Sequence, residues 1–208
     1  MEKKFIPAAR FNWLTSGYDL WSALLGFGRE YRQFVKSALN LSNRQRRVLD
    51  VGCGTGTLLI DLKKEYPENI FFGIDPDSKI LAIAVRKACK AGGKVDFKQS
   101  FAQKLPFASS SIDVVYSSLV FHHLSHEIKK RTLIEIRRVL KKNGIFMLSD
   151  FGKPRHHGIS FPWFAHTFEH GTDNYQGKLS LLIKEAGFHS VKKQGTYPHD
   201  IEIWKARK

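Results

Sequence analysis

The feature that most constrains this chain is a glycine loop set between an apolar run and an amphipathic one. Arg47-Val48-Leu49-Asp50-Val51 reads as a short buried strand, and Gly52-Cys53-Gly54-Thr55-Gly56 follows at once. Thr57 to Glu65 then carries helical periodicity until Pro67 stops it. Alternating glycines allow backbone angles that side chains forbid, and they let a ligand lie against the main chain. The helix behind the loop presents N–H groups and the positive end of its dipole, which suit a carboxylate as well as a phosphate. The loop lacks Gly-Lys-Ser/Thr, so it is not a triphosphate-binding loop. A structural turn and a dinucleotide-binding turn both remain open on this motif alone.

The next strand weighs on that choice. Ile70 to Asp75 is a second buried-type run, and Asp75 ends it about 25 residues beyond Asp50. This is the offset at which a carboxylate reaches the adjacent hydroxyls of a ribose. Downstream the same alternation continues. A helix capped by Ser78 buries Ile80, Leu81, Ala84 and Ala88 and ends at Gly92-Gly93; strands follow at 95–97 and 112–117. A helix over 125–140 stacks Leu133, Ile136 and Leu140, stops at Asn143-Gly144, and leads into a strand at 145–149. A last helix spans 177–186, and two closing strands, 189–193 and 201–205, have no helix between them. Upstream, Arg29 to Leu39 reads as a helix with Phe34, Val35 and Ala38 on one face. Alternating strands and helices predict an α/β fold with a mostly parallel sheet covered on both faces, and the final hairpin makes the last strand antiparallel.

The motifs, taken in order, resemble the class I S-adenosylmethionine-dependent methyltransferases. Val48 to Gly56 is similar to their glycine motif, and Gly73-Ile74-Asp75-Pro76-Asp77 to their acidic motif. Leu105-Pro106-Phe107 with Ile112-Asp113-Val114-Val115 matches the segment around the fourth strand. Phe121-His122-His123-Leu124 and Arg138 to Gly144 match the stretch into the fifth. This series covers roughly residues 45–150 and displaces the dehydrogenase reading. The run from Phe11 to Phe27, with Tyr18-Asp19, further resembles the ubiquinone/menaquinone biosynthesis group, and some phospholipid N-methyltransferases share it. The resemblance implies a Rossmann-like seven-stranded sheet of order 3-2-1-4-5-7-6 with strand 7 antiparallel. The aromatic-rich residues 1–44 are read as a helical N-terminal lid segment and 45–208 as the S-adenosylmethionine-binding domain, with the glycine- and proline-broken stretch at about 151–175 as a lid insertion.

Residue by residue, the resemblance sets Asp50, Gly52, Cys53 and Gly54 against the methionine part of S-adenosyl-L-methionine. It gives Asp75 the ribose hydroxyls, lays Pro76 against the adenine, and has Ala102 offer a backbone N–H to that ring. Ser117 lines the methionine end, and Tyr18 closes over the cofactor. One position departs from the pattern. Where the family has Gly-Asp-Ala, this chain has Ser100-Phe101-Ala102. Phe101 cannot accept a hydrogen bond from the adenine amino group, although its ring can pack on the purine. The lost bond costs on the order of 1 kcal/mol, too little to abolish binding.

Methyl transfer from a sulfonium is an in-line displacement, so the protein chiefly aligns the acceptor and excludes water. A base is needed only for an acceptor that must lose a proton. His122 and His123 follow the fourth strand at the edge where ligands collect, and His123 is the preferred group for acceptor contact or proton removal; packing at a helix start is the competing role. Trp163, Phe161, Phe164 and Phe168 suit an apolar acceptor pocket or ordinary packing. His166 and His170 have helical ligand spacing, but the stretch lacks the HExxH glutamate, and no metal is expected.

The partner is less determined than the cofactor. The 208 residues carry a net charge of +15, spread along the chain. Such charge attracts nucleic acid, an anionic membrane or an acidic substrate, or it simply solvates the surface. A small-molecule or lipid-like acceptor joins the charge to the N-terminal aromatics, with Trp13 and Trp21 at head-group level. An RNA methyltransferase and a non-catalytic S-adenosylmethionine-binding adaptor are the alternatives. No apolar run is long enough to span a membrane, no secretory signal follows the basic N-terminus, and Cys53 and Cys89 form no disulfide framework. The expected location is cytoplasmic, with peripheral membrane contact.

Overall fold

A computed structural model describes residues 26–154 and 172–208. Helix α1 (Arg29–Leu39) precedes strand β1 (Arg47–Val51); α2 (Thr57–Glu65), β2 (Ile70–Asp75), α3 (Ser78–Lys90), β3 (Val95–Gln99) and β4 (Ile112–Ser118) follow. A short 3-10 turn (Phe121–His123) leads to α4 (His126–Val139) and the long β5 (Leu140–Phe151). After α5 (Thr172–Tyr175) and α6 (Leu179–Glu185), β6 (His189–Tyr197) and β7 (Ile201–Arg207) end the chain.

The seven strands form one sheet of order β3-β2-β1-β4-β5-β7-β6. Strands β1 to β5 run parallel, and β7 runs antiparallel to both β5 and β6. This is the Rossmann-like order implied by the resemblance. The central strands bury both faces, which is why they are continuously apolar rather than alternating. On one face Leu49, Val51, Val115 and Leu148 pack with Leu133 and Ile136 of α4 and Leu182 and Ile183 of α6. On the other, Val48, Phe71, Val114, Tyr116 and Met147 pack with Tyr31, Val35 and Leu39 of α1 and Leu59 and Leu62 of α2. Helix α1 is thus part of the core, and its buried face is Tyr31, Val35 and Leu39, with Phe34 and Ala38 at the margin.

Three local expectations need correction. The cap of α3 is Asp77, whose Oδ1 accepts from the Lys79 and Ile80 amides at 2.8 and 3.4 Å; Ser78 is the first helical residue. Helix α4 stops at Val139, not at Asn143-Gly144, because Leu140 is fully buried and already pairs with Ile112 at the foot of the sheet. The Asn143-Gly144 signal marks an irregularity inside β5, with Asn143 at φ 61°, before pairing resumes at Ile145. Strand β6 runs past residue 193, because the turn at His199 and Asp200, with φ 65° and 55°, lets Thr196 and Tyr197 pair with Glu202 and Ile201, and β7 runs past 205, because Ala206 and Arg207 still pair with Phe146 and Ile145.

Candidate active site

In a parallel sheet the loops after the strands gather at one edge, and every sequence-flagged residue of the described chain lies in or near those loops. The glycine loop after β1 is anchored from β2. The amides of Gly52 and Cys53 both donate to the Ile74 carbonyl, at 2.8 and 2.9 Å, and the Gly56 amide donates to Cys53 at 2.9 Å. Gly52, at φ +80°, lies so close to Val120 that a Cβ there would meet Val120 Cγ2 at 2.3 Å. Gly54 differs: a Cβ placed on it meets nothing within 4 Å, so its backbone faces open space.

Two carboxylates flank this loop. Asp75 Oδ2 accepts from the Gly54 amide at 3.1 Å and Oδ1 from the Asp77 amide at 2.9 Å. A carboxylate has about four acceptor sites, so both oxygens keep capacity for a vicinal diol. Burial pushes the Asp75 acid upward, against the pull of these two amides. Asp50 is almost fully buried, and its Oδ1 has no hydrogen-bond partner among the described residues. Burial raises its acid to about 8, assisted by the charge of Asp75 and opposed by the Tyr116 hydroxyl. An unpartnered acceptor beside an open glycine backbone suits a cationic amino group. Burial also pushes the Cys53 thiol up, and the charges of Asp50 and Asp75 add to it.

The other flagged positions fall around this core. Ser117 is fully buried, its Oγ donating to the Val51 carbonyl at 2.8 Å, so it ties β4 to β1 just beneath the loop. Pro76 is half-buried, and its carbonyl accepts from Gln99 Nε2 at 2.9 Å. Phe101 is 49% exposed, and the half-buried Ala102 packs against the core. Tyr18, Trp13, Trp21, His166, His170 and the aromatics of 161–168 lie outside the described residues.

The turn after β4 carries the histidines. His122 is buried, and its ring centroid lies 3.9 Å from that of His123, which is half-buried. The residue that organises them was missed by sequence reasoning. Asp150, near the end of β5 and fully buried, takes the Val120 and Phe121 amides on Oδ2 at 3.0 and 2.6 Å. Its Oδ1 takes His122 Nδ1 at 2.7 Å. Burial alone would raise the Asp150 acid, but the charge and hydrogen bond of His122, with the Phe151 amide and His123, hold it below the usual carboxylate range. The available signal was the rule that singled out Asp75: an acid at the carboxyl end of a parallel strand.

Elsewhere, a concavity of about 400 Å³ lies between α1 and α2, and the ion pairs Arg32–Asp61 and Lys36–Glu65 cross between the two helices. Among the described residues no three His, Cys, Asp or Glu side chains are placed to hold a metal ion, and no helix is long and apolar enough to cross a membrane.

Comparison with known proteins agrees with this geometry. Residues 48–144 match the family model described as a methyltransferase domain. The chain is 33% identical to demethylmenaquinone methyltransferase of Thermus thermophilus over 145 residues, covering 69% of this chain and 65% of that protein. It is 28% identical to a ubiquinone/menaquinone biosynthesis C-methyltransferase of Syntrophotalea carbinolica, over 69% of this chain and 60% of that one. The chain therefore spans a little under two thirds of the length of these relatives. Among solved structures, an Aquifex aeolicus SAM-dependent methyltransferase shares the fold at TM-score 0.67 and 22% identity, covering 85% of this chain and 88% of that one. Haemonchus contortus phosphoethanolamine N-methyltransferase 2, solved with S-adenosyl-L-methionine, does so at TM-score 0.74 and 16% identity, over 88% and 53%. With its glycine loop, acid-tipped second strand and reversed seventh strand, the chain belongs to the class I S-adenosylmethionine-dependent methyltransferases.

Proposed function

We propose that this protein transfers the methyl group of S-adenosyl-L-methionine to a small, lipid-like acceptor of the quinol type. The observation that carries the reading is the arrangement of Asp50, Gly54 and Asp75: a buried unpartnered carboxylate oxygen, an open backbone, and a carboxylate with spare acceptor sites. Bound there, the cofactor supplies an electrophilic methyl on a sulfonium. Asp75 would accept from the ribose hydroxyls, and Asp50 would face the amino group of the methionine part. Gly52, Cys53 and Gly54 would lie along that part, with Ser117 beneath it and Tyr18 closing over it. Pro76, Phe101 and the Ala102 amide would hold the adenine, with the Phe101 ring packing in place of a hydrogen bond.

His123 is the group for acceptor contact. It stands on the turn after β4, beside a buried histidine whose Nδ1 lies 2.7 Å from Asp150, at the edge shared with the cofactor loop. A quinol acceptor must lose a phenolic proton for its ring carbon to attack, and an imidazole at this position can take it. The quinone class is supported by the names of the relatives at about 30% identity. A lipid-like acceptor also fits a basic protein working at an anionic membrane surface.

Calorimetry with S-adenosyl-L-methionine tests the cofactor assignment. Asp75→Ala should weaken binding about tenfold or more, and undiminished binding would overturn it. S-adenosylhomocysteine release with a short-chain demethylmenaquinol tests the acceptor. The +15 charge favours one second reading, methylation of RNA; steeply salt-dependent RNA binding together with RNA-dependent S-adenosylhomocysteine release would replace the quinol.

A further inference from the structure

Six donors from three segments converge on the Asp150 carboxylate. From the turn after β4 come the amides of Val120, Phe121 and His122, at 3.0, 2.6 and 3.4 Å, and the His122 ring at 2.7 Å. From β5 itself comes the Phe151 amide at 2.8 Å. The sixth is Asn174 Nδ2 at 3.3 Å, on α5. The same amide nitrogen donates to the Phe151 carbonyl at 2.9 Å, so Asn174 bridges the end of β5 and the carboxylate at once. Asn174 is fully buried, and its Oδ1 has no hydrogen-bond partner among the described residues. Its neighbour Asp173 fixes α5 from the other side, pairing with the buried Lys129 at 3.3 Å and with His126 at 3.1 Å.

We propose that Asp150 is a positioning residue through which Asn174 sets the orientation of His122 and His123 for acceptor chemistry; this rests on the methyl-transfer reading above. An ionised carboxylate accepts from every partner, so His122 is held with Nδ1–H toward Asp150, which fixes the direction of its ring. The His123 ring lies against that fixed ring, tilted by 45°. An apolar residue would hold a turn without the cost of a buried charge. What the carboxylate adds is direction: it fixes the His122 ring through Nδ1 and makes that orientation depend on Asn174, which shares the same oxygen.

The test uses the full-length protein labelled with ¹⁵N-histidine, S-adenosyl-L-methionine, and a short-chain demethylmenaquinol. Asp150→Asn should abolish the protected Nδ1–H resonance of His122. Asn174→Ala removes only the outer bond and should shift that resonance while leaving cofactor affinity within about threefold and lowering kcat roughly tenfold or more, as expected for misplaced reacting groups. Wild-type resonance and kcat in Asn174→Ala would overturn the proposal. So would a fall in cofactor affinity and melting temperature parallel to the fall in kcat, which marks a purely structural role. Should Asp150→Asn fail to fold, Asn174→Ala decides alone. Should wild-type protein leave the quinol unmethylated, the quinol reading falls, and the resonance in Asn174→Ala decides the coupling: a shift supports it and an unmoved resonance overturns it.

Discussion

Gly52 and Val120 touch in a way that leaves no room for a side chain between them: a Cβ on Gly52 would sit 2.3 Å from Val120 Cγ2. The contact joins the glycine loop after β1 to the histidine turn after β4, so the proposed cofactor and acceptor halves of the site are set against each other at one point. Gly52 also holds φ +80°, where an alanine is strained regardless of space. Gly52→Ala is expected to cost about 2 kcal/mol or more from strain and crowding together, and to weaken S-adenosyl-L-methionine binding. Adding Val120→Ala should recover the part due to crowding and leave the part due to backbone angle. Melting curves and calorimetry on both variants check this; a Gly52→Ala protein that melts like wild type would rule the contact out as a constraint.

The pH dependence of stability should carry the signature of Asp50. Its acid is raised from 3.8 to about 8, chiefly by burial. The folded protein therefore keeps a proton that the unfolded chain releases, and stability declines as pH rises across that window, the folded state binding more protons than the unfolded one. Asn resembles the protonated acid and has no proton to lose. Asp50→Asn should thus melt progressively higher than wild type as pH rises from 5 to 8, in the absence of cofactor. A constant difference across that range would show that Asp50 does not titrate there.

Lys129 offers a test of buried charge. Its side chain is 0% exposed, and it pairs with an Asp173 that is itself 10% exposed. Burial lowers the lysine's pKa, and the charge of Asp173 supports the ammonium. Lys129→Met keeps the volume but strips Asp173 of this partner, at an expected cost of about 3 kcal/mol. Lys129→Met with Asp173→Asn should recover most of it, as a double-mutant cycle in urea would measure. Additive losses would mean that the two side chains do not interact.

The two cysteines should differ sharply in reactivity. Cys89 is exposed on α3, whereas Cys53 is partly covered in the glycine loop and its thiol is pushed up by burial and by the nearby carboxylates. The thiolate is the reacting form. Iodoacetamide should label Cys89 alone in the native protein and both residues in urea. Rapid labelling of Cys53 in the native protein would contradict this environment.

How far the site could be read from sequence depends on how local each relationship is. The glycine loop, the flanking β1 and α2, and Asp75 at the tip of β2 are fixed by apolar runs and punctuating residues within about ten positions, and their boundaries coincide with those of the structure. Asp75 meets Gly54 because parallel pairing of β1 with β2 puts two strand ends side by side, and strand–helix alternation already implies that pairing. The Asn143-Gly144 signal was visible but misassigned, since the same dipeptide serves a helix end or an irregular strand and only the burial of Leu140 distinguishes them.

What the sequence determined by itself was thus the fold class and the placing of the glycine loop between Asp50 and Asp75. Only the tertiary structure showed that Asp150 gathers donors from residues up to 30 positions before it and 24 after it, and that the buried Lys129 pairs with an aspartate 44 positions away. Hydrophobic periodicity records which face of an element is covered, because burial of apolar surface repeats with the helix or strand. It does not record which polar side chain meets which. That choice is made where distant segments pack together and exclude water, for there an unpartnered charge is too costly to keep.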